Sequence, residues 1–174
     1  MLFRSPAPVF KALLDREVRA KTVMVDGPFL RLPGHSLTLG ARDEALWAKI
    51  SAELARERFK PPRVRDFASA HSVPEPEMRK LLQRLAKVGR VVEVAPDQYF
   101  LRPVVAEMIG IAHAIGRDFT AAEFRDKLDN GRKVAIQILE FFDRHGITIR
   151  RGDLRRTVPQ KLAQFGPQAS AADR

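Results

Sequence analysis

The chain has 174 residues, 31 Lys plus Arg against 21 Asp plus Glu, a formal net charge of +10 and a pI near 10.6. That length holds one or two small domains, and the charge favours a polyanionic partner, nucleic acid before acidic membrane. The absence of cysteine excludes disulfides and cysteine-held metal sites, no apolar run approaches the roughly 20 residues of a membrane span, and MLFRSPAPVF lacks a signal-peptide core, so the expected location is cytoplasmic.

Val9 to Arg16 has the pattern of a helix end, and Val18 to Val25 that of a strand. Asp26-Gly27 is a hairpin turn and Phe29 to Leu32 the return strand. A hairpin with no helix pair buries its apolar face poorly. Residues 1–40 are therefore expected to be the remnant of a preceding winged helix plus a linker, the chain starting inside a domain. Asp43 to Arg58 predicts a helix with Leu46, Trp47, Ile50 and Leu54 inward, closed by Pro61-Pro62. Val64 to Ala70 is a second, short helix. Ser72 to Glu75, with Pro74 in the first turn, opens a third; Met78, Leu81, Leu82, Leu85 and Val88 form its stripe and Gly89 its stop. Val91 to Val94 and Tyr99 to Leu101 make a hairpin about a Pro96-Asp97 turn.

The layout then recurs. Val104 to Ile115 is a helix, and Thr120-Ala121-Ala122-Glu123 is a capping box opening another to Leu128. Ala135, Ile138, Leu139 and Phe142 mark one face of the next helix, which Gly146 stops. Ile147 to Arg151, a Gly152-Asp153 turn and Leu154 to Val158 form the second hairpin. Phe67 and Phe124, Gly89 and Gly146, Val92 and Ile149, and Leu101 and Val158 are each 57 residues apart (124 − 67 = 57; 146 − 89 = 57), an internal repeat. The expected fold class is mainly α with small β-hairpin wings: tandem winged helix-turn-helix domains over 41–103 and 104–160. Residues 161–174 are expected to be a disordered tail, with Lys161 and Phe165 its candidates for a bound role.

No catalytic or metal constellation is legible. His35, His71, His113 and His145 are scattered without ligand company, and there is no G-x-x-x-x-G-K-[ST] for a nucleotide. A non-enzymatic chain without cofactor, metal or small-molecule substrate is expected. The two copies differ where a nucleic-acid reader should differ. The third helix of the first copy opens on Glu75 and Glu77, and that of the second on Asn130, Gly131, Arg132 and Lys133. Cations oppose the helix dipole there, but a phosphate would accept the free backbone N–H groups and both side chains. The first wing carries Glu93 and Asp97; the second carries Arg150, Arg151, Arg155 and Arg156 against one acid. Arginine grips phosphate bidentately and stacks on unpaired bases. The second copy is thus read as the binder through these eight residues, residues 104–160 sufficing, and the first as a spacer. Side chains alternate along a strand, so Arg150 and Arg151 should point apart, as should Arg155 and Arg156, with about half facing any one surface. On the outer face of the last helix only Gln137 and Arg144 suit base edges, which tilts the reading slightly from duplex DNA toward an RNA hairpin.

The run FTAAEFRDKLDNGRKVAIQILEFFDRHGITIRRGDLRRTV resembles the last winged helix of the bacterial selenocysteine-specific elongation factor family. The features that carry the likeness are Phe124-Arg125-Asp126-Lys127-Leu128, Gly131-Arg132-Lys133, Leu139-Glu140-Phe141-Phe142-Asp143, Gly146 and Arg150-Arg151-Gly152-Asp153. It extends upstream through the previous winged helix and Leu32-Pro33-Gly34-His35. The resemblance implies a monomeric RNA-binding end of a translation factor. It would dock on an mRNA stem-loop beside an in-frame UGA and reach the ribosome through the parent factor. GTP and selenocysteinyl-tRNA would be handled by domains absent here. A stand-alone winged-helix transcription regulator on duplex DNA stays open as the alternative; such regulators usually dimerise, and no sustained heptad is seen.

Overall fold

A computed structural model of the chain describes residues 7–26, 29–31 and 39–166. The chain divides into two units after Thr38. The first contains α1 (Ala7–Arg19) and an antiparallel pair, β1 (Met24–Asp26) and β2 (Phe29–Arg31). The strand expected from Val18 starts only at Met24. Leu14 and Val18, four apart, share a half-buried helix face, so α1 continues to Arg19. Lys21, at φ +57°, turns the chain out of the helix, and Thr22 Oγ1 donates to the Glu17 carbonyl at 2.9 Å. Gly27 of the expected turn, Leu32 of the expected return strand and residues 33–38 of the expected linker lie outside the described residues.

The second unit contains both winged helices. The first comprises α2 (Ala41–Glu57), α3 (Val64–Ala70), α4 (Glu75–Lys87), β3 (Val91–Ala95) and β4 (Gln98–Leu101). The second comprises α5 (Arg102–Ala114), β5 (Phe119–Thr120), α6 (Ala121–Leu128), α7 (Arg132–Arg144), β6 (Thr148–Arg151) and β7 (Leu154–Thr157). The starts of α4 and α7 keep the repeat offset (132 − 75 = 57), and each helix is followed by a left-handed glycine, Gly89 at φ +75° and Gly146 at φ +67°. Pro74 is the N-cap of α4 rather than a first-turn residue. Strand β5, too short for periodicity to reveal, completes a sheet of order β5-β7-β6.

The cores are not independent. Ile50, Leu54, Phe67, Met78, Leu82, Leu85, Val91 and Tyr99 form the first. The second contains Val105, Met108, Ile109, Phe119, Phe124, Ile138, Leu139 and Phe142, and takes in Val94 and Phe100 from the first hairpin. The β3–β4 hairpin is therefore a wall with a core on each side. Its run VVEVAPDQYFL places apolar residues next to each other because both faces are covered. The spacer expectation is corrected accordingly: the first winged helix supplies part of the second one's interior. Phe141, off the apolar stripe of α7, is 3% exposed, its ring packed with those of Phe142, His145 and Phe165.

The tail expectation is also corrected for residues 161–166. A 3-10 turn (Pro159–Lys161) leads to Phe165, which is buried, 5.6 Å from the Phe141 ring centre and beneath the Arg102 guanidinium. An aromatic side chain with an uncovered apolar neighbour is sufficient to order this short stretch. Among the described residues no helix is long and apolar enough to cross a membrane.

Candidate nucleic-acid interface

Two local devices place the start of α7. The first is the cap of α6. Thr120 Oγ1 accepts from the Glu123 N–H at 3.2 Å, and the Glu123 carboxylate accepts from the Thr120 N–H at 2.8 Å. The Thr120 backbone N–H, then Arg117 and the Thr120 hydroxyl, hold the Glu123 carboxyl down from 4.5 to about 2. The second device is the turn after α6. Asp129 sits in the left-handed region at φ +47°, and Gly131 is the extended N-cap of α7 at φ −73°. No side chain caps α7 and its first turn has no acid, an arrangement that suits an anion at the helix start. Arg132 and Lys133 are exposed beside them.

The wing sorts its arginines by register. Arg150 pairs with Arg155, Arg151 with Leu154 and Ile149 with Arg156. Cross-strand partners share a face, so Arg150 and Arg155 lie on one side and Arg151 and Arg156 on the other. Arg155 also stands opposite Phe119 of β5 and is only 4% exposed. Its Nε donates to Asp143 Oδ2 at 3.0 Å, while Thr148 Oγ1 donates to Asp143 Oδ1. The expected contact role of Arg155 is corrected to that of a strut: Asp143 of α7 ties down both strands of the wing. Arg156 is exposed and paired with Asp118, which pushes the guanidinium pKa upward. Arg150 donates from Nε to the Gly152 carbonyl at 2.8 Å across the tip, where Gly152 adopts φ +61°.

A groove of about 510 Å³ brings the helix start and the wing together. Thr120, Ala121, Ala122, Arg125, Arg132, Ile136, Arg150, Asp153 and Arg155 line it. Arg132 and Arg150, 18 residues apart in sequence (150 − 132 = 18), thus face one space. Arg125 was missed in the sequence because it neighbours Asp126 and reads as half of a solvated pair; the two are indeed 2.6 Å apart. Arg151 and Arg156 line a second hollow with Asp118, Ile149, Leu154 and Thr157, and Arg155 borders both spaces. Asn130 turns inward: its Nδ2 donates to the Phe59 carbonyl and its Oδ1 accepts from the Gly131 N–H at 2.7 Å.

The outer face of α7 is not free. Strand β3 packs on the helix, Arg144 Nη2 donates to the Val94 carbonyl at 3.2 Å, and Gln137 Oε1 is buried. Of the two side chains best suited to reading base edges, Gln137 is thus half-buried, and Arg144 stays exposed with one N–H given to Val94. Among the described residues no group of His, Asp or Glu could hold a metal ion.

Comparison with known proteins gives one consistent family. A family model described as "Elongation factor SelB, winged helix" matches residues 113–157, and one described as "Selenocysteine-specific elongation factor, winged helix domain" matches residues 40–100. The selenocysteine-specific elongation factor of Escherichia coli (strain K12) is 35% identical over 128 residues, 72% of this chain and 20% of that protein. That of Desulfomicrobium baculatum is 26% identical over 147 residues, 83% of this chain and 23% of that protein. The chain thus spans about a fifth of the length of these relatives. A solved structure of the mRNA-binding domain of elongation factor SelB from E. coli in complex with SECIS RNA superposes with a TM-score of 0.62 at 33% identity. The match covers 68% of this chain and 98% of that one.

Proposed function

The chain belongs to the SelB family of selenocysteine-specific elongation factors, within its winged-helix region, and we propose that it binds a hairpin in mRNA through its second winged helix. In this reading it anchors on that hairpin a larger factor that inserts selenocysteine at UGA. GTP hydrolysis and contact with the ribosome belong to parts of the factor outside this chain. Support comes from the relative of known structure, an mRNA-binding domain in complex with SECIS RNA. It comes also from the cationic groove, where Arg132 and the first N–H groups of α7 suit a phosphate and Arg125 and Arg150 flank it. Lys133 stands exposed beside Arg132, Gly131 supplies the open backbone of the N-cap, and Arg151 and Arg156 offer a further cationic face at the wing.

The observation that carries the choice of RNA over duplex DNA is the cover on α7. A helix that enters a major groove presents its outer face to base edges, and here β3 packs on the helix, Gln137 Oε1 is buried and Arg144 gives one N–H to the Val94 carbonyl. A groove between one helix start and one wing suits a bent backbone and a splayed base instead. Gel shifts of the full chain against an RNA stem-loop and a DNA duplex of the same sequence, at one salt concentration, test this. Tighter binding of the RNA is expected; equal or tighter binding of the duplex rejects it in favour of a DNA regulator.

A further inference from the structure

The first winged helix reaches the binding turn of the second through three consecutive residues. Arg58, just past α2, has φ +37° and ψ −93°, a region that a non-glycine residue keeps only where its surroundings hold it. They do. Its guanidinium pairs with Glu107 of α5 and lies 5.2 Å from the Phe59 ring centre. Phe59 packs on the second core, and its carbonyl accepts from Asn130 Nδ2. Lys60 Nζ lies 2.8 Å from Asp129 Oδ2. Asp129 and Asn130 are the turn between α6 and α7, directly before Gly131 and Arg132. Lys60-Pro61-Pro62 is also the stretch in which the first copy departs from the repeat.

We propose that Arg58–Phe59–Lys60 is a strap that fixes the α6–α7 turn, and that Asn130 is a positioning residue that aims the N-terminus of α7 at an RNA phosphate without touching the RNA. This rests on the hairpin-binding reading above. The strap adds to the turn's own backbone bonds, Asn130 N–H to the Arg125 carbonyl and Asp129 N–H to that of Asp126, at a place where α7 has no side-chain cap. Without the strap the first turn of α7 frays, and ordering it is subtracted from the binding energy.

The test uses the full chain, the variants Asn130→Ala and Phe59→Ala, and the SECIS RNA hairpin as probe. Affinity is measured over a range of salt, and exchange of the Asn130 and Ala135 amides is measured without RNA, since these donate to Arg125 and Gly131 at the turn. Both variants should bind about five- to tenfold more weakly with the wild-type salt slope, and both amides should exchange faster in the free chain. Lys60→Asp should weaken binding less, because that pair is exposed, and adding Asp129→Lys should recover the loss. Asn130 lies in a surface turn, so its truncation keeps the test alive if Phe59→Ala costs the fold. Weaker binding by Asn130→Ala with unchanged amide exchange means direct contact with RNA and overturns the strap, as does binding within twofold of wild type by every variant. If the wild-type chain fails to bind the hairpin, the functional reading fails, while unchanged exchange in both variants overturns the strap independently.

Discussion

Arg150 and Arg155 face each other across neighbouring strands, yet their surroundings give them different tasks. Arg155 is covered and bound to Asp143; Arg150 leans over the tip with its charge in the open groove. Replacing Arg155 by Ala should strip the wing of a charge-assisted hydrogen bond and cost about 1.5–3 kcal/mol of stability in urea unfolding. The salt slope of RNA binding, measured where the variant is folded, should stay at the wild-type value. Arg132→Ala and Arg150→Ala should do the reverse: unchanged unfolding, weaker binding, and a log–log salt slope flatter by roughly 0.7–0.9 each. A wild-type slope for Arg132→Ala would remove the helix start from the interface.

At the level of elements, α6 depends on the reciprocal bonds of Thr120 and Glu123. The carboxyl of Glu123 titrates at about 2 in the folded chain against 4.5 ordinarily, so the cap is fully stabilising above about pH 4.5 and is lost as pH falls toward 2. The melting temperature of Glu123→Gln should therefore lie below that of the wild type at pH 6, and the gap should close between about pH 4.5 and 2. A gap that stays constant over that range would mean that the charge contributes nothing to the cap. The two wings are the same element in different service. Val92 packs on the neighbouring core, and its repeat partner Ile149 is 55% exposed between Arg151 and Arg156. In a tandem array the inner repeat turns its wing into an interface, and the last keeps a charged outer face.

For the molecule as a whole, the shared hairpin makes residues 39–166 one cooperative body. The segment 104–166 expressed alone would lose Val94, Phe100 and Phe59 from its surroundings. Each fully buried apolar side chain contributes about 1.5–3 kcal/mol, so the isolated segment should be less stable than 39–166 by about 3 kcal/mol or more. Urea titration of both segments measures this; equal midpoints would mean that the cores fold independently. The same hairpin bears on what α7 can present, because β3 packs on the helix while Arg132, Lys133 and the wing tip stay exposed.

The sequence by itself determined the repeat, the helices and the two wings. Their signals are local: apolar stripes at helical spacing, glycine stops, and the Thr120–Glu123 box. It also determined that positive charge collects at Arg132, Lys133 and the second wing. Which arginines stay available was decided only in three dimensions, because the face of Arg155 depends on strand register and on Asp143, 12 residues away (155 − 143 = 12). The burial of Phe141, the inward turn of Asn130 and the arrival of Arg125 in the groove were likewise decided there. They depend on Phe165, on the Phe59 carbonyl and on how α6, α7 and the wing meet, and periodicity within one element carries no information about its neighbour.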